Sequence, residues 1–164
     1  MGNAQEKIIP KLTIKKVIHA KRERVFEAWT KPELMSQWMV PPDGWTARTK
    51  NDLRVGGEYH HEMIVGEQVS DKELRPCQEA PSYKTGDSLM HEGEYLEIKP
   101  PEKLVFTWNS PAVKNTRVTV ELRDLGDSTE LWLTHELIEE EAQRLSHNDG
   151  WTAAIAKLEK FLAK

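Results

Sequence analysis

The most informative segment of the sequence is VFEAWTKPELMSQW, residues 25–38. Val25, Phe26 and Trp29 recur three to four residues apart, which places them on one face of a helix. Pro32 lacks a backbone N–H and is favoured at a first helical position, so it predicts a second short helix directly after the first. The apolar residues that follow it give this second helix an apolar side of its own. Two short helices joined so closely cannot form a core alone, and we expect a sheet to cover them.

The bulk composition is that of one ordinary globular domain, which we expect to span residues 1–164. The chain is 30% charged and 38% hydrophobic, and its net charge of -4 argues against a nucleic-acid partner. Cys77 is the single cysteine, which excludes an internal disulfide and fits a reducing compartment. No apolar run approaches the ~20 residues that span a bilayer, so we expect no membrane insertion. The N-terminus lacks a signal-peptide core, and we expect a cytoplasmic location.

Alternating patterns outside this segment predict strands. β-branched residues indicate a first strand at Leu12–Ile18, and a weaker pattern runs over residues 45–53. Strands joined by short turns are typical of an antiparallel meander, which we expect for the second half of the chain. Further alternation predicts strands near residues 58–63, 90–98, 104–108, 118–122 and 129–137.

The chain ends in a predicted amphipathic helix. Trp151, Ile155, Leu158 and Leu162 make one apolar stripe at helical spacing. The acidic residues 139–141 favour the N-terminus of a helix, where the dipole is positive. A curved sheet around this last helix would cover every apolar face that the patterns predict.

Two segments show no periodicity. Residues 1–11 are polar and are predicted to form a loose N-terminus. Residues 66–89 hold several Pro, Gly and charged residues, and loops beyond ~15 residues in a compact domain are usually lids, binding loops or tethers. We therefore expect a long loop at 66–89 that is a candidate lid.

Six ordered motifs carry a resemblance to a known family. The sequence resembles the family related to the activator of the ninety-kilodalton heat-shock chaperone ATPase, within the SRPBCC or START-like superfamily, over roughly residues 14–162. The resemblance implies an α+β helix-grip fold: a curved antiparallel sheet wrapped around a long C-terminal helix, with two short helices after the first strand and an internal cavity. The motifs are VFxAWTxPE (25–33) with Trp38, LRxGGxY (53–59), GEYLEI (93–98), PEKLVFTW (101–108), LTHE (133–136) and GW (150–151).

Inward-facing aromatic and polar side chains make up the candidate ligand site. An apolar, aromatic-lined hollow with a few polar groups is the environment that a small molecule requires. The same side chains would also serve as plain core, which spacing alone favours; the family resemblance brings the two alternatives to equal weight. The candidate ligand-binding residues are Trp38, Tyr59, His61, Met63, His91, Tyr95, Phe106, Trp108, His135, Trp151 and Ile155.

The sequence supports catalysis and metal binding only weakly. One of the inward histidines His61, His91 and His135 could act as a general acid or base, although a structural imidazole is the favoured interpretation. Adjacent strand residues point to opposite faces, so the doublets at 60–61 and 91–92 cannot each place two ligands on one metal. Cys77 has no evident base beside it. We predict no catalytic residue, no metal and no cofactor.

The expected function is binding of a small hydrophobic or amphipathic molecule inside the domain, by a monomer or a homodimer. A first alternative, implied by the resemblance, is a chaperone-interacting module that works through an exposed patch including Trp132 on the outer face. A second alternative is a cyclase or hydrolase that uses the interior histidines in a wet cavity with at least one strongly perturbed pKa.

Overall fold

A computed structural model describes residues 8–66 and 84–163 of the chain, as seven strands and three helices. In chain order these are β1 (Leu12–Ile18), α1 (Arg22–Thr30), α2 (Pro32–Trp38), β2 (Thr46–Asn51), β3 (Glu58–Ile64), β4 (Ser88–Lys99), β5 (Lys103–Trp108), β6 (Thr116–Asp124), β7 (Thr129–Glu136) and α3 (Glu141–Leu162).

The strands form one antiparallel sheet in the order β1-β7-β6-β5-β4-β3-β2. The two short helices connect β1 to β2, which lie at opposite edges of the sheet. The curved sheet wraps around α3, which packs against β1, α1 and α2. This arrangement confirms the predicted α+β helix-grip fold.

The junction of α1 and α2 confirms the role predicted for Pro32. Lys31 has extended backbone angles (φ -89°, ψ 121°) and separates the helices, and Pro32 is the first residue of α2. The Trp38 Nε1–H donates to the Ala28 carbonyl oxygen over 2.8 Å. The rings of Trp29 and Trp38 meet edge to face with centroids 4.7 Å apart. A buried hydrogen bond and an aromatic contact therefore fix the angle between the two helices.

The predicted alternation is visible in the burial of the strands and of α3. On β7, Leu131, Leu133 and His135 are fully buried, while the residues between them are half-buried. Burial of one large apolar side chain stabilises the fold by roughly 1.5–3 kcal/mol, so the seam between α3 and the sheet is a main source of stability. The buried stripe of α3 consists of Trp151, Ala154, Ile155, Leu158 and Leu162.

Several strand boundaries differ from the prediction by one or two residues, including both ends of β6, which spans Thr116–Asp124 where 118–122 was predicted. The strand β2 is shorter at both ends than the predicted 45–53, because residues 52–57 turn the chain into β3. The strand β4 begins at Ser88, two residues early, because a turn closed by the Asp87 N–H and the Lys84 carbonyl returns the chain to the sheet. Residues 67–83 of the predicted loop and residues 1–7 of the predicted loose terminus lie outside the described residues, as does Cys77.

Gly93 permits the close approach of β4 and β5. A Cβ atom on Gly93 would lie 2.0 Å from the Thr107 carbonyl oxygen, so no other residue fits without a backbone shift. A bulge follows between Tyr95 and Glu97. Because His91 and Tyr95 both precede the bulge, the alternation that places them on the inner face is unbroken. None of the helices in the described ranges is long and apolar enough to cross a membrane.

Candidate functional site

A cavity of about 210 Å³ lies between the N-terminal half of α3 and one end of the sheet, and among the described residues it is open on one side. Its wall comes from four parts of the chain: the segment after α2, the facing ends of β3 and β4, the connection from β5 to β6, and α3. The lining residues are Met39, Pro41, Pro42, Trp45, Met63, Leu89, His91, Trp108, Ser110, Pro111, Ala112, Gln143, Ser146, His147, Gly150, Trp151 and Ala154.

The cavity includes four of the residues predicted to bind a ligand: Met63, His91, Trp108 and Trp151. Beyond Trp108 the interior narrows to a void of about 10 Å³, which is too small for any ligand larger than water. The predicted hollow is therefore open at one end and filled at the other. The predicted residues that lie in the filled part or behind the wall are Trp38, Tyr59, His61, Tyr95, Phe106, His135 and Ile155.

The two predicted tyrosines form part of the packed interior. The Tyr59 hydroxyl donates to the Thr107 carbonyl oxygen over 2.6 Å, and the Tyr95 hydroxyl accepts from the Asn51 side-chain amide over 2.9 Å. Their rings lie 5.6 Å apart, and the Tyr59 ring also contacts Phe106 at 5.4 Å. Burial raises the pKa of both phenols, so they stay neutral. Their polar groups serve the fold and do not reach the cavity.

His135 lies behind the cavity wall and is hydrogen-bonded to Trp151 directly and to the Trp108 backbone through Thr116. Its Nδ1 accepts from the Trp151 Nε1–H over 3.0 Å. Its Nε2–H donates to the Thr116 hydroxyl over 2.8 Å, since that hydroxyl itself donates to the Trp108 carbonyl oxygen over 2.7 Å. Burial lowers the pKa of His135 to about 3, with a further contribution from His147. His135 is a neutral positioning residue with both ring nitrogens engaged.

His61 is engaged in the same way. The Thr49 hydroxyl lies 2.7 Å from its Nδ1, and its Nε2–H donates to the Met39 carbonyl oxygen over 2.7 Å. Burial lowers the pKa of His61, and the bond to Met39 opposes this only in part. This bond ties the segment after α2 to β3, which places Met39 in the cavity wall.

Two other imidazoles line the cavity, and one of them was not predicted. His91 directs its Nδ1–H to the Leu89 carbonyl oxygen over 3.2 Å, and His147 directs its Nδ1–H to the Gln143 carbonyl oxygen over 2.7 Å. Burial lowers the pKa of His91 to about 3, and it also lowers the pKa of His147. Both are therefore neutral at physiological pH. Because Nδ1 of His147 carries the proton, Nε2 of this ring is an acceptor.

The apolar wall is centred on Trp108 and Trp151, whose rings lie 5.1 Å apart. The ring of His91 contacts Trp108 at 5.0 Å on the other side. The planes of Trp108 and Trp151 are inclined by 52°, so the rings form an angled aromatic wall against which a bound ring can pack. The arrangement joins a rigid aromatic wall to a small number of polar groups, which is the composition of small-molecule sites.

Gly150 leaves part of this space open. Apart from its two chain neighbours and the backbone of its own helix, no described heavy atom lies within 4 Å of the position that a Cβ atom would occupy on Gly150. Gly150 lines the cavity from the middle of α3, one residue before Trp151. A larger side chain there would enter the cavity without displacing the core.

Sequence patterns could have found part of the missed lining. Gln143, His147, Gly150 and Ala154 follow one another at spacings of three or four and extend the stripe of α3 toward its N-terminus. The predicted stripe begins at Trp151 because these earlier residues are polar or small. Residues 39–42 and 110–112 carry no periodicity, so only the folded chain shows that they meet.

Within the described ranges no group of three or more His, Cys, Asp or Glu side chains is placed to hold a metal ion. On the outer face, Trp132 is half-buried beneath two cations: the Lys15 ammonium and the Arg123 guanidinium each lie 4.9 Å from its ring centroid. Its Nε1–H donates to Glu130 over 2.7 Å. This part of the outer face is polar where the chaperone alternative predicts an apolar patch.

The family model described as "Activator of Hsp90 ATPase homolog 1-like protein" matches residues 19–78 and 68–163. The chain belongs to this family. Its helix-grip fold is the one that the sequence motifs predict, and it suggests a ligand-binding or co-chaperone-like module without specifying which. No curated protein matches the sequence with significance.

Solved structures share the fold over almost the whole chain. Protein CV1439 from Chromobacterium violaceum is 22% identical, with a TM-score of 0.75 over 94% of this chain and 97% of its own. A protein from Arthrobacter aurescens is 20% identical, with a TM-score of 0.73 over 93% and 86%. The AHSA1-like protein from Aeromonas hydrophila is 18% identical, with a TM-score of 0.72 over 94% and 92%. At these identities the likeness concerns the fold alone.

Proposed function

We propose that this protein binds a small, mainly apolar molecule in the cavity between α3 and the sheet. The observation that carries the proposal is the partly open cavity of about 210 Å³ with Trp108 and Trp151 as its wall. Burial of the ligand's apolar surface would supply most of the affinity. Of the residues predicted to bind a ligand, the proposal keeps Met63, His91, Trp108 and Trp151.

The cavity volume limits the ligand. An apolar cavity of ~150 Å³ holds a molecule the size of benzene, whereas drug-sized ligands occupy roughly 300–1,000 Å³. A space of about 210 Å³ suits one ring or two fused rings. Long acyl chains and steroids are too large for it.

The enzymatic alternative has little support among the interior histidines. His61 and His135 each use both ring nitrogens within the fold, so neither has a lone pair or a proton for a substrate. Only His91 and His147 face the cavity, and burial lowers the pKa of both. A weakly basic imidazole is a better hydrogen-bond acceptor than proton carrier at neutral pH. These contacts favour binding over acid–base chemistry.

Gly150 provides a direct test. Gly150→Ala adds one methyl group in open space and favours the helix by roughly 1 kcal/mol, so binding of indole should be preserved. Gly150→Leu should fill the cavity and weaken indole binding at least about tenfold, a loss of ~1.4 kcal/mol. The measurement is isothermal titration calorimetry on both variants, with circular dichroism as the control for folding. Equal indole affinity in a folded Gly150→Leu protein would contradict the proposal.

A co-chaperone-like module is the second candidate, and family membership is the observation that favours it. Such a module would act through its outer surface, and the same pair of variants separates the two functions. Chaperone docking on the outer surface should be insensitive to Gly150→Leu, because the new side chain points into the cavity. Loss of chaperone capture in that variant alone would contradict an outer docking surface.

A further inference from the structure

We infer that the cavity selects small aromatic molecules whose polar group is a hydrogen-bond donor, and that the Nε2 atom of His147 accepts the hydrogen bond from this donor. This inference rests on the proposed function, since it names the ligand class for the same cavity.

The acceptor character of His147 follows from its place on α3. A backbone carbonyl only accepts hydrogen bonds, so the contact of 2.7 Å to the Gln143 carbonyl oxygen requires the proton on Nδ1 of His147. The neutral ring then carries a lone pair on Nε2. Among the described residues this Nε2 has no hydrogen-bond partner. It is also absent from the fully enclosed polar atoms that lack a partner, so it reaches open space.

The neighbouring imidazoles hold His147 in this state. The ring of His147 meets the ring of His135 edge to face at 5.2 Å, and His135 itself is neutral with both nitrogens engaged. His91 lines the same cavity and directs its own Nδ1–H to the Leu89 carbonyl oxygen. A ligand cation would find no carboxylate among the described residues that line the cavity. The His91 ring also bonds to the backbone of His61, so His147 is the lining imidazole that presents an unpartnered lone pair to an uncharged donor.

The indole N–H groups of the lining tryptophans are either fully enclosed or bonded to His135, so none is offered to a ligand. The lining hydroxyls and the side-chain amide do not discriminate between donors and acceptors. The hydroxyls of Ser110 and Ser146 and the side-chain amide of Gln143 each offer both a donor and an acceptor. Ser110 already accepts from the N–H groups of Ala112 and Val113, which turns this hydroxyl toward its own connection. The selectivity for a donor therefore depends on His147, whose tautomer is fixed by its bond to the Gln143 carbonyl oxygen.

Indole and benzofuran are matched probes for this inference. They are fused two-ring molecules of the same shape, and they differ only in that a ring N–H donor in indole is a ring oxygen acceptor in benzofuran. One hydrogen bond that is made in one complex and lost in the other should favour indole by about tenfold. Indene, which has neither group, reports the apolar contribution alone.

The experiment measures dissociation constants of the three probes by calorimetry for the wild-type protein, His147→Phe and His147→Gln. We expect wild-type protein to prefer indole about tenfold over benzofuran, His147→Phe to lose the preference while keeping its affinity for indene, and His147→Gln to recover part of it through its amide oxygen. Equal affinities of the three probes in wild-type protein would overturn the inference and leave the proposed function intact. An indole preference that persists in His147→Phe would overturn the role of His147. Failure of all three probes to bind would overturn the proposed function and this inference with it.

Discussion

At the scale of single residues, hydrogen bonds separate the histidines that support the fold from those that face the cavity. Alternation together with the family resemblance predicts His61 and His135 as ligand contacts, and the structure places both behind the wall with both nitrogens bonded. His147 faces the cavity although the sequence patterns did not single it out. Alternation predicts which side chains point inward. It cannot predict which inward imidazole finds partners, because those partners come from distant segments.

The buried histidines give a prediction for pH. The pKa of His135 is about 3 in the folded chain and about 6.5 in an unfolded chain. Between these pH values, His135 is protonated in the unfolded chain and neutral in the folded chain. The stability that His135 contributes is therefore complete above pH 6.5 and is lost as pH falls toward 3. The free energy of unfolding should therefore decrease with acidity, and His135 should account for up to ~1.4 kcal/mol per pH unit.

His135→Phe tests this assignment. It should lower the free energy of unfolding at pH 7 by roughly 1–3 kcal/mol, because Trp151 and Thr116 lose buried partners, and it should flatten the pH dependence between pH 6.5 and 5. Urea unfolding at several pH values measures both effects. The matched control is His19→Phe, which changes an exposed histidine and should shift stability by less than about 0.5 kcal/mol. An unchanged slope in His135→Phe would show that His135 is not the group that titrates on unfolding.

At the scale of elements, the sequence predicts most of the fold because the hydrophobic periodicity and the residues that start or end elements, such as Pro32, indicate the same helices and strands. The residues around Pro32 predict the helix pair, and the inner face of β7 is the one that alternation indicates. The errors lie at strand ends, where a turn such as 52–57 or 84–87 decides the boundary by its own hydrogen bonds. The segment after α2 carries no periodicity that predicts its place. Its place as the rim of the cavity depends on a contact with α3 that no local pattern contains.

Lys157 on α3 makes the contact between α3 and the rim of the cavity, which is the segment after α2. Its ammonium donates to the Val40 carbonyl oxygen over 2.7 Å and reaches the Pro42 carbonyl at 3.4 Å. Lys157→Met should release the rim and weaken indole binding about fivefold, the equivalent of one net hydrogen bond of ~1 kcal/mol. The control is Asp43→Asn, since the Asp43 carboxylate is 98% exposed at 3.3 Å from Lys157 and such pairs contribute little. Equal effects of the two substitutions on indole binding would show that the ion pair with Asp43, and not the carbonyl contacts, holds the rim in place.

At the scale of the whole molecule, the helix-grip fold encloses one filled and one open region. The rings of Tyr59, Tyr95 and Phe106 occupy the interior on one side of Trp108, and the cavity lies on the other side. The sequence motifs predict the fold and its family but not this division. Whether an inner face is packed or hollow depends on side chains that meet across the sheet, and on connections such as 110–112 that close the end.

The most direct test of the binding cavity is a nuclear magnetic resonance titration of the wild-type protein with indole, followed through the indole N–H signals of the tryptophans. Trp45, Trp108 and Trp151 line the cavity, Trp29 and Trp38 belong to the core, and Trp132 lies on the outer face. We predict saturable shifts of the Trp45, Trp108 and Trp151 signals, with the signals of Trp29, Trp38 and Trp132 nearly unchanged. Shifts confined to Trp132, or no saturable shift at any tryptophan, would contradict a small-molecule site between α3 and the sheet.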